Sequence, residues 1–132
     1  MRGVKRSKIC RVIIPAGVNV WPHELETAKA LVNYGHVVEF KEKAEGYKVY
    51  SADAYLDGRL WEFKAPKSNK LDAVERNLRR AKRQSGYVVF DSFRMKGLPD
   101  AAIRREILAK VPYIKSLNEV IFVDRKRGCI DI

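Results

Sequence analysis

Residues 51–66 read SADAYLDGRLWEFKAP, and how they pair decides the rest of the chain. Asp57-Gly58 stands between two runs rich in aromatic and aliphatic residues, which is a strong short-range signal for a β-hairpin with a two-residue turn. That turn sets the register. Leu56 faces Arg59, Tyr55 faces Leu60, Ala54 faces Trp61 and Asp53 faces Glu62. Side chains alternate along a strand, so Asp53 and Tyr55 share a face with Leu60, Glu62 and Lys64. Ala52, Ala54, Trp61 and Phe63 take the other face. Opposed residues bring their Cβ atoms to roughly 4.5–5.5 Å, where two carboxylates repel and ask for a compensating charge. A hard divalent cation is one such partner. Lys64, two residues beyond Glu62 on the same side, is another. The plain counterpart is a surface salt bridge across a hairpin, which contributes under about 1 kcal/mol.

Outward from the hairpin, the pattern supplies an α/β frame. Cys10–Ile14 suits a short strand. Pro22 opens a helix with Glu24 and Glu26 in its first turn, where the helix dipole favours acids, and Gly35 closes it. Its apolar face is Leu25, Ala28, Leu31 and Val32, with Glu24 at the border. Val37–Lys41 reads as a strand and Glu42–Gly46 as a polar turn. After the hairpin, Ser68 or Asn69 caps a helix carrying Leu71, Val74, Leu78 and Ala81 at helical spacing, running to about Ser85 with Gln84 at its end. Tyr87–Phe93 is nearly all apolar, as a central strand buried on both faces requires, and Asp91 near its end is a secondary site candidate. Pro99-Asp100 starts a helix with Ile103, Ile107 and Leu108 as its core face. Glu119–Asp124 and Cys129–Ile132 form a last hairpin around a basic turn. The whole is a single α/β (α+β) domain over 1–132. Its core order is αβββαβ, a mixed sheet flanked by helices, followed by a helix and a hairpin.

Charge narrows the function. The 132 residues carry 27 Lys and Arg against 16 Asp and Glu, a formal net charge of +11. Such an excess points to a polyanion, with nucleic acid ahead of a membrane surface. A merely solubilising surface is the alternative. Residues 1–8 form a basic arm, expected to be mobile. Arg76, Arg79, Arg80 and Arg83 on the second helix, and Arg125, Lys126 and Arg127 in the last turn, are the candidates for phosphate contact. No apolar run approaches the roughly 20 residues of a membrane span. The basic start is followed by too short an apolar stretch for a signal peptide. Cys10 and Cys129 have no metal-ligand spacing and are expected as free thiols.

Asp on the second strand of this order and Glu-x-Lys on the third resemble the core of the PD-(D/E)xK nuclease superfamily. The resemblance implies that Asp53 and Glu62 hold Mg²⁺ or Mn²⁺, with Zn²⁺ a third option, while Lys64 orients or activates the attacking water. It also implies a further acid from the first helix, here Glu24, and a glutamine after the motif, here Gln84. Ala52 stands where the superfamily's usual proline precedes the Asp. A closer similarity, over about Trp21 to Asp91, is to the C-terminal nuclease domains of CdiA-type contact-dependent growth-inhibition toxins. HELETAKALVNYGHVVEF, DAYLDGRLWEFKAP and RQSGYVVFD carry it. What it implies is a toxin-like RNase acting on tRNA, or a DNase. Such a domain is delivered to the cytoplasm from a larger secreted toxin and meets a cognate immunity protein. Related toxins also use barnase, EndoU, colicin or RelE-type RNase folds without any metal, for which His23, Tyr55, Lys64 and Arg94 supply the acid–base inventory. His23 at a helix start is otherwise a surface or capping residue. A non-catalytic nucleic-acid-binding accessory protein of a mobile element, and a domain whose charge meets an acidic protein, complete the alternatives.

Overall fold

The computed structural model describes residues 10–42 and 53–132. The basic arm at 1–8 and most of the polar turn at 42–46 lie outside the described residues. Seven strands form one mixed sheet in sequence order: β1 (Val12–Ile13), β2 (Val38–Phe40), β3 (Ala54–Leu56), β4 (Arg59–Lys64), β5 (Tyr87–Asp91), β6 (Glu119–Val123) and β7 (Cys129–Asp131). The pairs β1–β2, β4–β5 and β5–β6 are parallel, and the others are antiparallel. Three helices complete the fold: α1 (Pro22–Asn33), α2 (Ala73–Ala81) and α3 (Asp100–Lys110). This is the single mixed α/β domain expected from the pattern.

Alternation along the central strands divides the core in two. Val89, Ile121, Val123, Trp61 and Phe63 face α1 and pack with Ala28, Ala30 and Leu31. Val88, Phe90, Val120 and Phe122 face the opposite way and pack with Val74, Leu78, Ile103 and Ile107 from α2 and α3. Side chains one residue apart on a strand point to opposite faces, so a run such as YVVFD feeds both layers at once. No helix among the described residues is long and apolar enough to cross a membrane.

The Asp-Gly hairpin forms with the expected register: Ala54 pairs with Trp61, Tyr55 with Leu60 and Leu56 with Arg59. Asp57 and Gly58 both have positive φ, 51° and 88°, as a type I′ turn demands. Asp57 is also bound into the neighbouring strand connection. Its Oδ1 accepts from the Val37 N–H at 2.9 Å and its Oδ2 lies 2.6 Å from His36 Nδ1. The ladder stops one pair short of Asp53 and Glu62. The Asp53 N–H donates to the carbonyl of Trp61, whose partner is already Ala54. Two residues against one is the arrangement of a β-bulge.

Three local expectations shift. Leu108 is half exposed rather than part of the core face of α3, because it lies a full 100° step past Ile107. Helix α2 begins after Asp72, and Ser68 instead accepts from the Lys70 N–H in the preceding turn. Its regular part ends at Ala81, with turns carrying the chain past Gln84.

Candidate active site and cationic cleft

Two constellations lie near the carboxyl ends of the parallel strands, the usual place for ligands in such sheets. The first is on the hairpin. Glu62 is 6% exposed, unusually buried for a carboxylate, and its Oε2 lies 3.6 Å from Lys64 Nζ. Both residues project to the α2 side, since Glu62 pairs with Val88 and Lys64 with Phe90 of that core layer. Asp53 Oδ2 accepts from the Phe63 N–H at 3.0 Å, so its carboxylate lies against the β4 backbone between the other two candidates. The bulge and this hydrogen bond go together. Where the ladder fails, a side chain satisfies the strand's amide. Ser85 Oγ, just past α2, donates to the Leu60 carbonyl and holds that end of the helix connection beside β4. Gln84 Oε1, before the start of β5, is buried with no hydrogen-bond partner among the described residues.

The donor set of Asp53 and Glu62 is of the right kind for Mg²⁺ or Mn²⁺. Mg²⁺ is commonly held by one or two carboxylates together with water and substrate phosphate oxygens. No group of three or more His, Cys, Asp or Glu side chains suited to a metal ion gathers among the described residues. Glu24 has a different assignment in the fold. Its Oε1 accepts from the Trp21 N–H at 3.1 Å, the acid half of a capping box at the start of α1.

The second constellation is a cleft of about 960 Å³. It gathers residues 65–69 after β4, 91–96 after β5, 125–127 after β6 and the first turn of α1. Its cations are Lys67, Arg94, Lys96, Arg125 and Arg127, against two acids, Glu26 and Asp91. Asp91 is the anchor. It is 2% exposed, and Arg127 grips both its oxygens, at 3.0 and 2.7 Å. Thr27 Oγ1 of α1 donates to it at 2.5 Å, and the Phe93 N–H donates at 2.9 Å. One carboxylate thus ties α1, β5 and the last hairpin together. That hydrogen-bonded pairing holds the Arg127 guanidinium above its ordinary pKa. Arg94 is fixed in turn by donating twice to the Ala65 carbonyl, and Arg125 by donating to the Met95 carbonyl.

His23 lines the cleft beside Arg94. Burial, with Arg94 next, holds its imidazole below the ordinary histidine value, against the pull of Glu24 and Asp91. It is therefore neutral at pH 7 and able to accept a proton. The sign follows from the lowered pKa. The unfolded chain takes the proton first as pH falls, so this group's contribution to stability is present above the unfolded value near 6.5 and declines below it. In an NMR titration the His23 ring protons are expected to move with a midpoint below about 6.5. A midpoint at or above that value contradicts the placement.

Of the metal-free inventory, His23 and Arg94 share the cleft, whereas Tyr55 sits within β3 between Glu39 and Leu60, and Lys64 belongs to the hairpin cluster. The arginines of α2 do not line the cleft; Arg76 pairs with Asp72 and Arg79 with Glu75, while Arg80 and Arg83 are exposed. Arg125 and Arg127 line it and Lys126 is exposed in the turn between them. Thr27, Lys67, Phe93 and Lys96 carry no motif of their own. The signal that finds Lys67, Phe93 and Lys96 is their position after strand ends, which depends on the parallel pairing, while Thr27 is found by its bond from α1 to Asp91. Cys129 is a free thiol, and burial pushes its pKa up to about 11.

The model of the contact-dependent growth inhibition CdiA C-terminal domain family matches residues 50–129, from just before the hairpin to the last strand. The chain belongs to this family. Its match takes in Asp53, Glu62, Lys64, Gln84, Asp91 and the basic turn at 125–127, so both constellations rest on CdiA C-terminal domain sequence apart from what α1 adds. Among solved structures the chain is similar to the CdiA-CT/CdiI toxin and immunity complex from Burkholderia pseudomallei. The TM-score is 0.63 at 19% identity, with 96% of each chain covered, a likeness of fold. No curated protein sequence matches.

Proposed function

We propose that this CdiA C-terminal domain is a toxin nuclease that hydrolyses phosphodiester bonds in RNA, with tRNA as the substrate, and that Asp53, Glu62 and Lys64 carry the reaction. The single observation behind it is the buried Glu62 carboxylate beside Lys64 on a strand that ends at a strongly cationic cleft. A carboxylate this deeply buried is rare unless it is paired or has a task, and Lys64, a quarter exposed, is its partner here. Asp53 and Glu62 would hold a divalent ion such as Mg²⁺ or Mn²⁺, which would supply a water of lowered pKa and neutralise charge on the phosphate. Lys64, whose Nζ lies 3.6 Å from Glu62 Oε2, stabilises the negative charge that develops on the phosphoryl oxygens. The cations of the cleft hold the neighbouring phosphates without reading sequence. Gln84, with an unused buried amide oxygen, is the glutamine that the superfamily resemblance assigns to orienting substrate or water. On this reading the domain is the delivered end of a larger secreted toxin, acts in the cytoplasm of the recipient cell, and is neutralised by an immunity protein.

A second reading has its own observation: His23, with a lowered pKa, and Arg94 face one cleft. There His23 accepts the proton of the RNA 2′-hydroxyl as its oxygen attacks the adjacent phosphorus, Arg94 stabilises the pentacoordinate phosphate, and the P–O5′ bond breaks to leave a 2′,3′-cyclic phosphate and a 5′-hydroxyl that takes its proton from water. No metal takes part in that scheme. Assaying total tRNA and plasmid DNA in Mg²⁺, Mn²⁺, Zn²⁺ or EDTA separates the two. Cleavage of tRNA that is lost in EDTA and restored by a divalent ion is the expected result. Cleavage that persists in EDTA transfers the chemistry to His23 and Arg94, and cleavage of DNA alone removes RNA as the substrate.

A further inference from the structure

Phe93 is 53% exposed at the rim of a cleft whose other conspicuous groups are charged. Among the exposed large apolar side chains of the described residues it is the one that lines the cleft with the cations, and an aromatic face beside a row of cations is the pairing of groups that single-stranded nucleic acid uses. Its setting is rigid. The Phe93 N–H is held at 2.9 Å by Asp91 Oδ1, and the guanidinium carbon of Arg127 lies 5.3 Å from the ring centroid. Arg127 is itself clamped by both oxygens of the same Asp91, which Thr27 ties to α1. The ring is thus backed by a fixed cation and still leaves about half of its surface open. Lys67, Arg94 and Lys96 stand around the same cleft, and Lys67 and Lys96 are exposed.

We propose that this cleft takes a single-stranded segment of nucleic acid, with one unpaired base stacked on Phe93 and the adjoining phosphates on Lys67, Arg94 and Lys96. The proposal rests on the nuclease reading only for the identity of the polymer. A base in a duplex has both faces covered by its neighbours, so an aromatic platform selects loops, bulges and ends over paired regions. Stacking on a ring is tolerant of base identity, and the cations follow the backbone, so recognition is by strandedness rather than by sequence. An acidic protein surface would meet the same cations but gains little from an immobilised ring with an open face.

The test is binding in EDTA, measured by fluorescence anisotropy with a short single-stranded RNA and with the same sequence as a duplex. Phe93→Ala is expected to weaken single-strand binding about tenfold to a hundredfold and to leave the duplex affinity unchanged. Phe93→Tyr should restore it. Lys96→Ala should weaken both ligands alike and lower the salt slope by about one. Because Phe93 is exposed, its variants are expected to melt with the wild type. The proposal is overturned if Phe93→Ala leaves single-strand affinity intact, if it weakens duplex equally, or if polyglutamate competes as well as the single strand, which would make the face a protein-docking surface. The two readings fail separately. Phe93-dependent binding by a protein that cleaves nothing removes the nuclease. Cleavage with binding indifferent to Phe93 removes the platform.

Discussion

Glu62→Gln is expected to abolish cleavage of tRNA, by about a thousandfold or more, while the protein folds and binds RNA as before. The size follows from the several kcal/mol of charge stabilisation that a metal-held phosphate gains, at about 1.4 kcal/mol per tenfold in rate. Folding should survive because Gln keeps the shape of a side chain that is 6% exposed and removes a buried charge rather than creating one. Lys64→Ala should produce a loss of similar kind, seen in kcat rather than in affinity, since Lys64 acts on charge that appears in the transition state. The rate of tRNA cleavage and the melting curve are the two measurements. Full activity in Glu62→Gln would take the carboxylate out of the reaction. A Lys64→Ala variant whose sole defect is weaker binding would make Lys64 a substrate contact.

The second large effect is on stability. Asp91→Ala should lower unfolding free energy by about 3 kcal/mol and the melting temperature by roughly 10 °C. Asp91 accepts four hydrogen bonds, from Thr27, Arg127 (two) and the Phe93 backbone. Its loss leaves Arg127 a partly buried cation without its counter-charge. Arg127 is about a quarter exposed, so the effect belongs at the lower end of what breaking a buried pair costs. Removing Arg127 as well should return part of the loss, because the uncompensated charge goes with it. Urea or thermal unfolding of the two single variants and the double variant measures this. A change under about 1 kcal/mol in Asp91→Ala would mean that the network is not what ties α1 to the strand ends.

The hairpin was legible because its signals are local. Asp57-Gly58 can take positive φ at both positions, and the flanking residues alternate with period two. From those two facts the pairs from Leu56–Arg59 to Ala54–Trp61 follow, and alternation beyond them puts Glu62 and Lys64 on one side of β4. The bulge at Asp53 was not legible. It depends on a carboxylate reaching the Phe63 amide, a side-chain choice that alternation does not encode. Glu24 was ambiguous for a related reason. An acid three residues past a helix start serves a cap or a site equally well, and the capping bond to the Trp21 amide appears only in the structure.

What the sequence determined by itself is therefore the αβββαβ order, the hairpin register and a formal charge of +11. Only the tertiary structure decided where that charge gathers. The basic helix α2, prominent in the sequence, presents its arginines away from the cleft, two of them paired within the helix. The cleft is instead assembled from α1 and from three strand ends separated by about thirty residues each. They meet because β4, β5 and β6 run parallel, and parallel pairing needs long crossovers that leave no short-range mark in the chain.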